Sequence, residues 1–201
     1  YSVSCLKVDQ LEGLLLHRPD QLLKKNGWMI YDSLLNLKKN GKVSKIGISI
    51  YDPLDLNKIN SQFTFDIVQA PFNIFDRRLL YSGWLDRLKD QGVEVHVRSA
   101  FLQGLLISSI KKTPVGFENW EHLWNTWRNW VKEKKLNPLQ AALGHVLSYK
   151  KIDRVIIGVD NVNQLSEVLS FKDSKNLRAP DYISTSDVKL LDPSQWKRIG
   201  N

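Results

Sequence analysis

Polar and small residues stand directly after several apolar segments of this sequence. His17, Ser49 and Gln69 end or follow three early segments, and Arg98 and Gly158 end or follow two later ones. In folds with parallel strands, ligands bind at the carboxyl ends of the strands. A histidine there can act as an acid, a base or a hydrogen-bond donor, although a lone histidine is more often structural. Ser49 and Gln69 can bind a carboxamide or a similar polar group.

The two later positions favour an anion. Arg98 opens the segment RSAFLQGLL, in which Gly104 gives the backbone freedom to turn. The last apolar segment leads into GVDNVNQ, where a helix start near residues 161–163 would offer backbone N–H groups to an anion. Ordinary loops with an ordinary helix cap explain the same residues equally well.

Apolar segments alternate with amphipathic segments along the chain. The predicted strands are Leu11–Leu16, Lys45–Ile50, Ile67–Gln69, Val93–Arg98 and Arg154–Gly158. The predicted helices are Trp28–Lys39, Pro53–Ile59, Leu79–Gln91, Glu118–Lys135, Asn137–Ser148 and one after Asn161, which forms a capping pair with Gln164. Strands separated by helices predict parallel pairing, in an open sheet or a barrel. The sequence lacks Gly-x-Gly-x-x-Gly after a strand, which disfavours the open dinucleotide-binding sheet.

Tryptophans recur on one face of the predicted helix Glu118–Lys135. Trp120, Trp124, Trp127 and Trp130 are spaced by three or four residues. This spacing favours a stripe that packs into the core, with an aromatic ligand platform as the alternative.

Composition narrows the class of protein. The chain has 201 residues, of which 42% are hydrophobic and 25% charged, as in ordinary globular domains. Cys5 is the only cysteine, so an intrachain disulfide is excluded and neither a cysteine zinc site nor any other metal site is predicted. We find no membrane-spanning apolar run and no signal peptide, and therefore expect a cytoplasmic protein without a membrane partner.

The net charge of +8 comes with dispersed lysines. Lysines at helix ends and turns are usually solvated, so nucleic-acid binding is a less favoured interpretation. A third interpretation is that some of this charge binds the phosphates of a nucleotide.

Five segments together resemble a known family. LLLHRPD, GKVSKIGISIYDP, FDIVQAPFNIFDRRLL, VRSAFLQGLL and VIIGVDNVNQLSEVL resemble successive segments of an aldo/keto reductase, in order and spacing, over nearly the whole chain. The resemblance implies an α/β fold, a partial (β/α)8 TIM barrel whose N-terminal units are missing, forming one domain over residues 1–201. It also implies NADP or NAD as cofactor and hydride transfer to a small carbonyl substrate, or from an alcohol.

The resemblance also implies roles for individual residues. His17 matches the catalytic histidine, whereas the family's catalytic aspartate, tyrosine and lysine have no counterpart, and Tyr31 and Tyr51 do not match that tyrosine. Ser49 and Gln69 match residues that hold the nicotinamide carboxamide. The other residues that match cofactor-binding positions are Arg98, Ser99, Phe101, Leu102, Gln103, Gly104, Gly158, Val159, Asp160, Gln164 and Glu167.

Several positions depart from the family pattern. Ile50 stands where an asparagine is common, and Arg98 stands where many members stack a tyrosine on the nicotinamide. Gly158, Val159 and Gln164 replace residues that commonly bind the 2′-phosphate of NADP, which keeps NAD open.

We expect the 201-residue chain, as a fragment, to have negligible activity alone. These departures favour an alternative, a non-catalytic subunit that binds the cofactor or a partner. Residues 107–118 and 172–201 are expected to border the substrate pocket.

Overall fold

A computed structural model describes residues 2–108, 111–174 and 177–196 of the chain. The strands are β1 (Leu11–Leu16), β2 (Val43–Ser49), β3 (Ile67–Pro71), β4 (Glu94–Arg98) and β5 (Arg154–Val155). The α-helices are α1 (Ser2–Leu6), α2 (Gly27–Lys39), α3 (Leu56–Ile59), α4 (Arg78–Tyr81), α5 (Trp84–Asp90), α6 (Leu105–Ser108), α7 (Glu121–Glu133), α8 (Pro138–Leu147), α9 (Val162–Ser170) and α10 (Val188–Leu191). Short 3-10 helices cover Pro19–Leu23, Pro53–Asp55, Glu118–Trp120, Asp181–Ile183 and Pro193–Gln195. Within the described ranges, the helices are too short or too polar to cross a membrane.

The five strands form one sheet, in which their spatial order follows their order in the sequence. β1 pairs with β2 and β2 with β3, both in parallel, and Ser49 lies opposite Gln69. Parallel neighbours require a crossover connection, which the intervening helices provide. The predicted alternation of parallel strands and helices is therefore confirmed.

One predicted helix is divided in the structure and one predicted strand is much shorter. The limits of most other elements shift by a few residues. The predicted helix Leu79–Gln91 is divided into α4 and α5, because Gly83 adopts a left-handed φ of 76° that interrupts the helix. The predicted strand Arg154–Gly158 pairs as a strand only at its first two residues. Beyond them, Ile156 still donates its N–H to the carbonyl of Val97 at 2.7 Å.

The chain forms two compact units. Unit 1 comprises Tyr1–Ala70 and Leu79–His96, and unit 2 comprises Pro71–Arg78 and Val97–Asn201. The single domain expected from the sequence stays a prediction. The core of unit 1 contains the buried side chains of Ile46, Ile48, Val68, Leu85 and Leu88.

Gly47 allows β2 and β3 to approach closely in unit 1. A Cβ atom at this position would lie 2.3 Å from the carbonyl oxygen of Ile67, nearer than any real contact. The glycine therefore fixes the spacing of the two strands that end in Ser49 and Gln69.

The tryptophan stripe of α7 lies in the core of unit 2. Trp124 and Trp127 are completely buried, Trp130 is 5% exposed, and the indole N–H of Trp127 donates to the carbonyl of Leu106 at 3.1 Å. The predicted core stripe is confirmed, and these rings are not a ligand platform. Trp196 is partly buried and packs on the same core.

Candidate functional site

Ser49 and Gln69 meet at the carboxyl ends of β2 and β3 in unit 1. Ser49 is 5% exposed, and its hydroxyl donates to the carboxamide oxygen of Gln69 at 3.0 Å. The backbone fixes the pair, since the N–H of Ile50 donates to the carbonyl of Gln69 at 2.8 Å. The serine oxygen keeps its acceptor capacity and the glutamine its NH2 donors, a combination that complements another carboxamide.

His17 follows β1 directly and is exposed. Its ring stands edge-on to the ring of Tyr51, with centroids 6.3 Å apart and planes at 90°. An exposed imidazole at the end of a strand is accessible for proton transfer with a ligand.

A cavity of about 680 Å³ lies in unit 2, within the size range of small-molecule sites. It is lined by every residue that the sequence assigned to cofactor binding in this unit, except Leu102. These lining residues are Arg98, Ser99, Phe101, Gln103, Gly104, Gly158, Val159, Asp160, Gln164 and Glu167. The sequence reasoning thus named residues from two distant segments that the fold brings to one cavity.

The first wall of the cavity is the loop after β4, residues 98–104. Ser99, Leu102 and Gln103 have left-handed φ values of 60°, 47° and 53°, followed by Gly104 at 83°. Each such non-glycine residue costs about 1–2 kcal/mol, so the surroundings must hold the loop in this shape. Leu102 helps to hold the loop in place, because its side chain is fully buried in the core of unit 2 and does not line the cavity.

The second wall is the segment that leads into α9. Asn161 is the N-cap and accepts the N–H of Gln164 at 3.0 Å. The Gln164 side chain in turn accepts the N–H of Asp160 at 2.7 Å, so the predicted capping pair is confirmed. Because its side-chain oxygen binds the backbone, Gln164 shapes this wall. Gly158 leaves open space on its own side.

Charge is distributed unevenly over the cavity. Among the lining residues, the charged side chains are Arg98, Asp160 and Glu167. The guanidinium of Arg98 donates to the hydroxyl of Ser99 at 3.2 Å, which directs it along the first wall. An anion is therefore favoured near Arg98 and disfavoured near the two carboxylates.

A second charged cluster lies on the strands of unit 1. Lys45 binds Glu12 and Glu94, each at 2.7 Å, and Glu94 also contacts His96 at 3.2 Å. The hydrogen bond from Lys45 lowers the pKa of Glu94, and the bonds to Glu12 and Glu94 raise the pKa of Lys45. In the described part of the chain, no group of His, Cys, Asp and Glu side chains is arranged to hold a metal ion.

The sequence reasoning did not assign the apolar lining of the cavity. Leu139, Ile156 and Ile157 carry no chemical signal, because each is typical of a core position. The remaining unassigned lining residues are Ala100, Ile107 and Val168. Ile107 begins one of the two segments expected to border a substrate pocket. In those segments, residues 109–110, 175–176 and 197–201 lie outside the described residues.

Comparisons with known proteins identify a family and a curated relative. The sequence profile of the Aldo/keto reductase family matches residues 1–182. Oxidoreductase YdhF from Escherichia coli (strain K12) is 31% identical over 86 residues, which are 42% of this chain and 28% of that protein.

Solved structures show the same fold. Aldo-keto reductase AKR11C1 from Bacillus halodurans, in its apo form, superimposes with a TM-score of 0.71 at 18% identity, over 98% of this chain and 68% of that one. Its holo form gives the same TM-score and identity, over 66% of that chain. The predicted partial (β/α)8 barrel is therefore confirmed as the fold of the five strand-helix units.

Proposed function

Because the chain belongs to the aldo/keto reductase family, we propose that it carries the cofactor-binding part of a cytoplasmic, NAD(P)-dependent oxidoreductase. The substrate is a small carbonyl compound, or an alcohol in the reverse direction. The observation that carries the proposal is the cavity in unit 2. Its two walls, residues 98–104 and 158–168, are the segments whose residues match the family's cofactor positions.

The residues present fit a nicotinamide dinucleotide. Loop 98–104 supports phosphate binding, because Arg98 adds a positive charge to a loop with several left-handed residues, a type of backbone that can form anion-binding concavities. Gly104 and Gly158 have no heavy atom within 4 Å of a would-be Cβ, which leaves room for a ligand at the backbone. In unit 1, Ser49 and Gln69 offer both donors and acceptors for a carboxamide. When bound, the nicotinamide supplies the hydride chemistry.

His17 is the proposed catalytic residue of this chain. An exposed imidazole can hold or deliver a proton at its Nε2 or Nδ1 atom and can orient a carbonyl oxygen by hydrogen bonding. Catalytic groups that act as a set lose most of their effect when separated. We therefore assign to His17 the orientation of the substrate within a longer parent enzyme.

Titration with NADH and NADPH tests the proposal. We expect the chain to bind at least one of them, as measured by calorimetry. Gly158→Leu should weaken binding by about tenfold or more, because its Cβ starts in open space and the rest of the side chain takes up volume at the cavity wall. Gln195→Leu, an exposed position away from the cavity lining, is the matched control and should bind as the wild type does.

Three outcomes are informative. If Gly158→Leu leaves the affinity unchanged, the cofactor does not bind in this cavity. No binding of either nucleotide, by the chain or by a full-length parent, would reject the proposal. Binding by a parent that turns over no aldehyde in a broad panel would favour the alternative function, a non-catalytic cofactor-binding subunit.

A further inference from the structure

Asn73 is a buried polar residue that the function described above leaves unused. It lies in the turn after β3, within the apolar run PFNIF of unit 2, and is 1% exposed. Its neighbours Phe72, Ile74 and Phe75 are completely buried. A carboxamide in such surroundings is costly unless its hydrogen bonds are made.

The side chain of Asn73 makes hydrogen bonds in two directions. Its oxygen accepts the N–H groups of Phe75 and Asp76, both at 2.9 Å, which closes the turn locally. Its NH2 group donates to the carbonyl of Ser99 at 3.0 Å, 26 residues along the chain. The acceptor end therefore shapes its own turn, while the donor end reaches the cavity wall.

Ser99 is the first strained residue of loop 98–104. Its φ of 60° lies in the left-handed region. That carbonyl accepts both the Asn73 side chain and the N–H of Leu102, the latter at 2.9 Å. Left-handed residues other than glycine persist only where neighbouring groups hold them, and these two bonds converge on the carbonyl where the strain begins.

The turn that carries Asn73 is itself firmly held. The backbone N–H of Asn73 donates to the carbonyl of Asp76 at 3.0 Å, and Asp76 is completely buried. The carboxylate of Asp76 accepts a two-pronged interaction from Arg78, at 2.9 and 2.8 Å. The N–H of Phe72 also donates to the carbonyl of Arg98 at 3.1 Å. The side chain of Asn73 thus links a turn that is held by several hydrogen bonds to the strained loop 98–104.

We propose that Asn73 is a positioning residue that holds loop 98–104 in its ligand-receiving conformation. Asn73 does not line the cavity and acts through the carbonyl of Ser99. This inference rests on the proposed function, in which that loop binds the phosphates of a nicotinamide dinucleotide.

Asn73→Asp separates the two roles of the side chain. The carboxylate keeps the acceptor for Phe75 and Asp76 but has no donor for Ser99, and it places a negative charge against that carbonyl. Asn73→Ser is a second variant, which keeps an acceptor for the turn and is too short to reach Ser99. Asn137→Asp is the control, because the Asn137 side chain also accepts a backbone N–H in a turn, that of Leu139 at 2.8 Å, and lies outside the contacts of loop 98–104 that the described residues show.

Hydrogen exchange measures the loop without any ligand. In Asn73→Asp, the amides of Leu102, Leu105 and Leu106 should exchange about tenfold faster, as expected for loss of one buried hydrogen bond. The amides of α7 and α8 should keep their wild-type rates. Asn137→Asp should match the wild type throughout.

Calorimetric titration with NADH and NADPH measures the consequence for the ligand. We expect about tenfold weaker binding in Asn73→Asp and in Asn73→Ser, at unchanged stoichiometry. Uniformly faster exchange in all elements, or unfolding of both variants while Asn137→Asp folds, would overturn the proposal, because Asn73 would then serve the whole fold.

The failure of the two proposals can be distinguished. If the wild type binds no nucleotide, the proposed function fails, and local exchange in the loop alone decides whether Asn73 holds it. If the wild type binds and both Asn73 variants bind equally well, the positioning role is wrong and the proposed function stands.

Discussion

His145 is a buried histidine in α8 of unit 2. Its Nδ1 atom accepts the N–H of Ala179 at 3.0 Å, which places the proton of the neutral ring on Nε2. Among the described residues, Nε2 has no hydrogen-bond partner. Burial lowers the pKa of His145 well below its ordinary value, and the positive charges of Arg77 and Arg178 lower it further.

This histidine should make the chain sensitive to acid. The pKa is lower in the folded than in the unfolded state, so the unfolded state binds more protons between the two values. The stability contributed by the neutral ring is therefore present above the ordinary value of 6.5 and is lost as the pH falls below it. The loss amounts to about 1.4 kcal/mol per pH unit until the folded pKa is reached.

His145→Asn tests the acid sensitivity. The asparagine oxygen can accept the N–H of Ala179, but the side chain does not titrate. Urea unfolding between pH 5 and pH 8, a range of about three units around the histidine pKa, should show a flatter dependence of the free energy in this variant. His122→Asn, at an exposed histidine, should keep the wild-type slope. Equal slopes in all three proteins would show that His145 does not titrate on unfolding.

The structural roles of some residues could be predicted from the sequence, whereas those of others could not. The caps at Asn137 and Asn161 were predictable, because a cap depends on residues two or three positions away. Among the cavity residues, Arg98, Gly104 and Gly158 were indicated by their positions after apolar segments, whereas the others could be named only through a family resemblance. The bond from Asn73 to Ser99 joins distant segments, and the sequence shows only a polar residue within an apolar run.

At the scale of the element, Gly83 divides what the apolar spacing predicts as one helix. Leu80, Trp84 and Leu88 follow one another at intervals of four residues, so the periodic signal runs through the break. An isolated glycine is tolerated inside helices, and only the observed φ of 76° shows that it ends this one. The short length of β5 could not be predicted for a similar reason. A run such as VIIG predicts a strand whether or not a neighbouring strand pairs with it.

Gly83→Ala should destabilise the chain by about 1 kcal/mol, because alanine disfavours the left-handed conformation. No heavy atom lies within 4 Å of the added Cβ, so the cost is conformational. Urea unfolding measures it. Gly158→Ala is the control, with equally open space and no left-handed φ, and should leave the free energy of unfolding unchanged or slightly higher. Equal effects of both changes would refute the conformational explanation.

At the scale of the molecule, the proposed function assigns many more cofactor-binding residues than catalytic residues to the chain. Thirteen residues are proposed to bind the cofactor, whereas His17 is the one residue for which we propose a catalytic role. We therefore expect the 201-residue chain to bind cofactor but to reduce aldehydes at a negligible rate, followed as NADH or NADPH oxidation. Clear reduction of an aldehyde by the wild-type chain, if His17→Ala abolishes it, would contradict this expectation.

The tryptophans are divided unequally between the two units. Trp28 and Trp84 lie in unit 1, while Trp120, Trp124, Trp127, Trp130 and Trp196 lie in unit 2. The tryptophan stripe in the core of unit 2 is therefore also an intrinsic fluorescent probe of that unit. Intrinsic fluorescence will follow mainly the loosening of the unit that contains the cavity, whereas circular dichroism averages over both. A difference between the two melting curves would show that the units unfold separately.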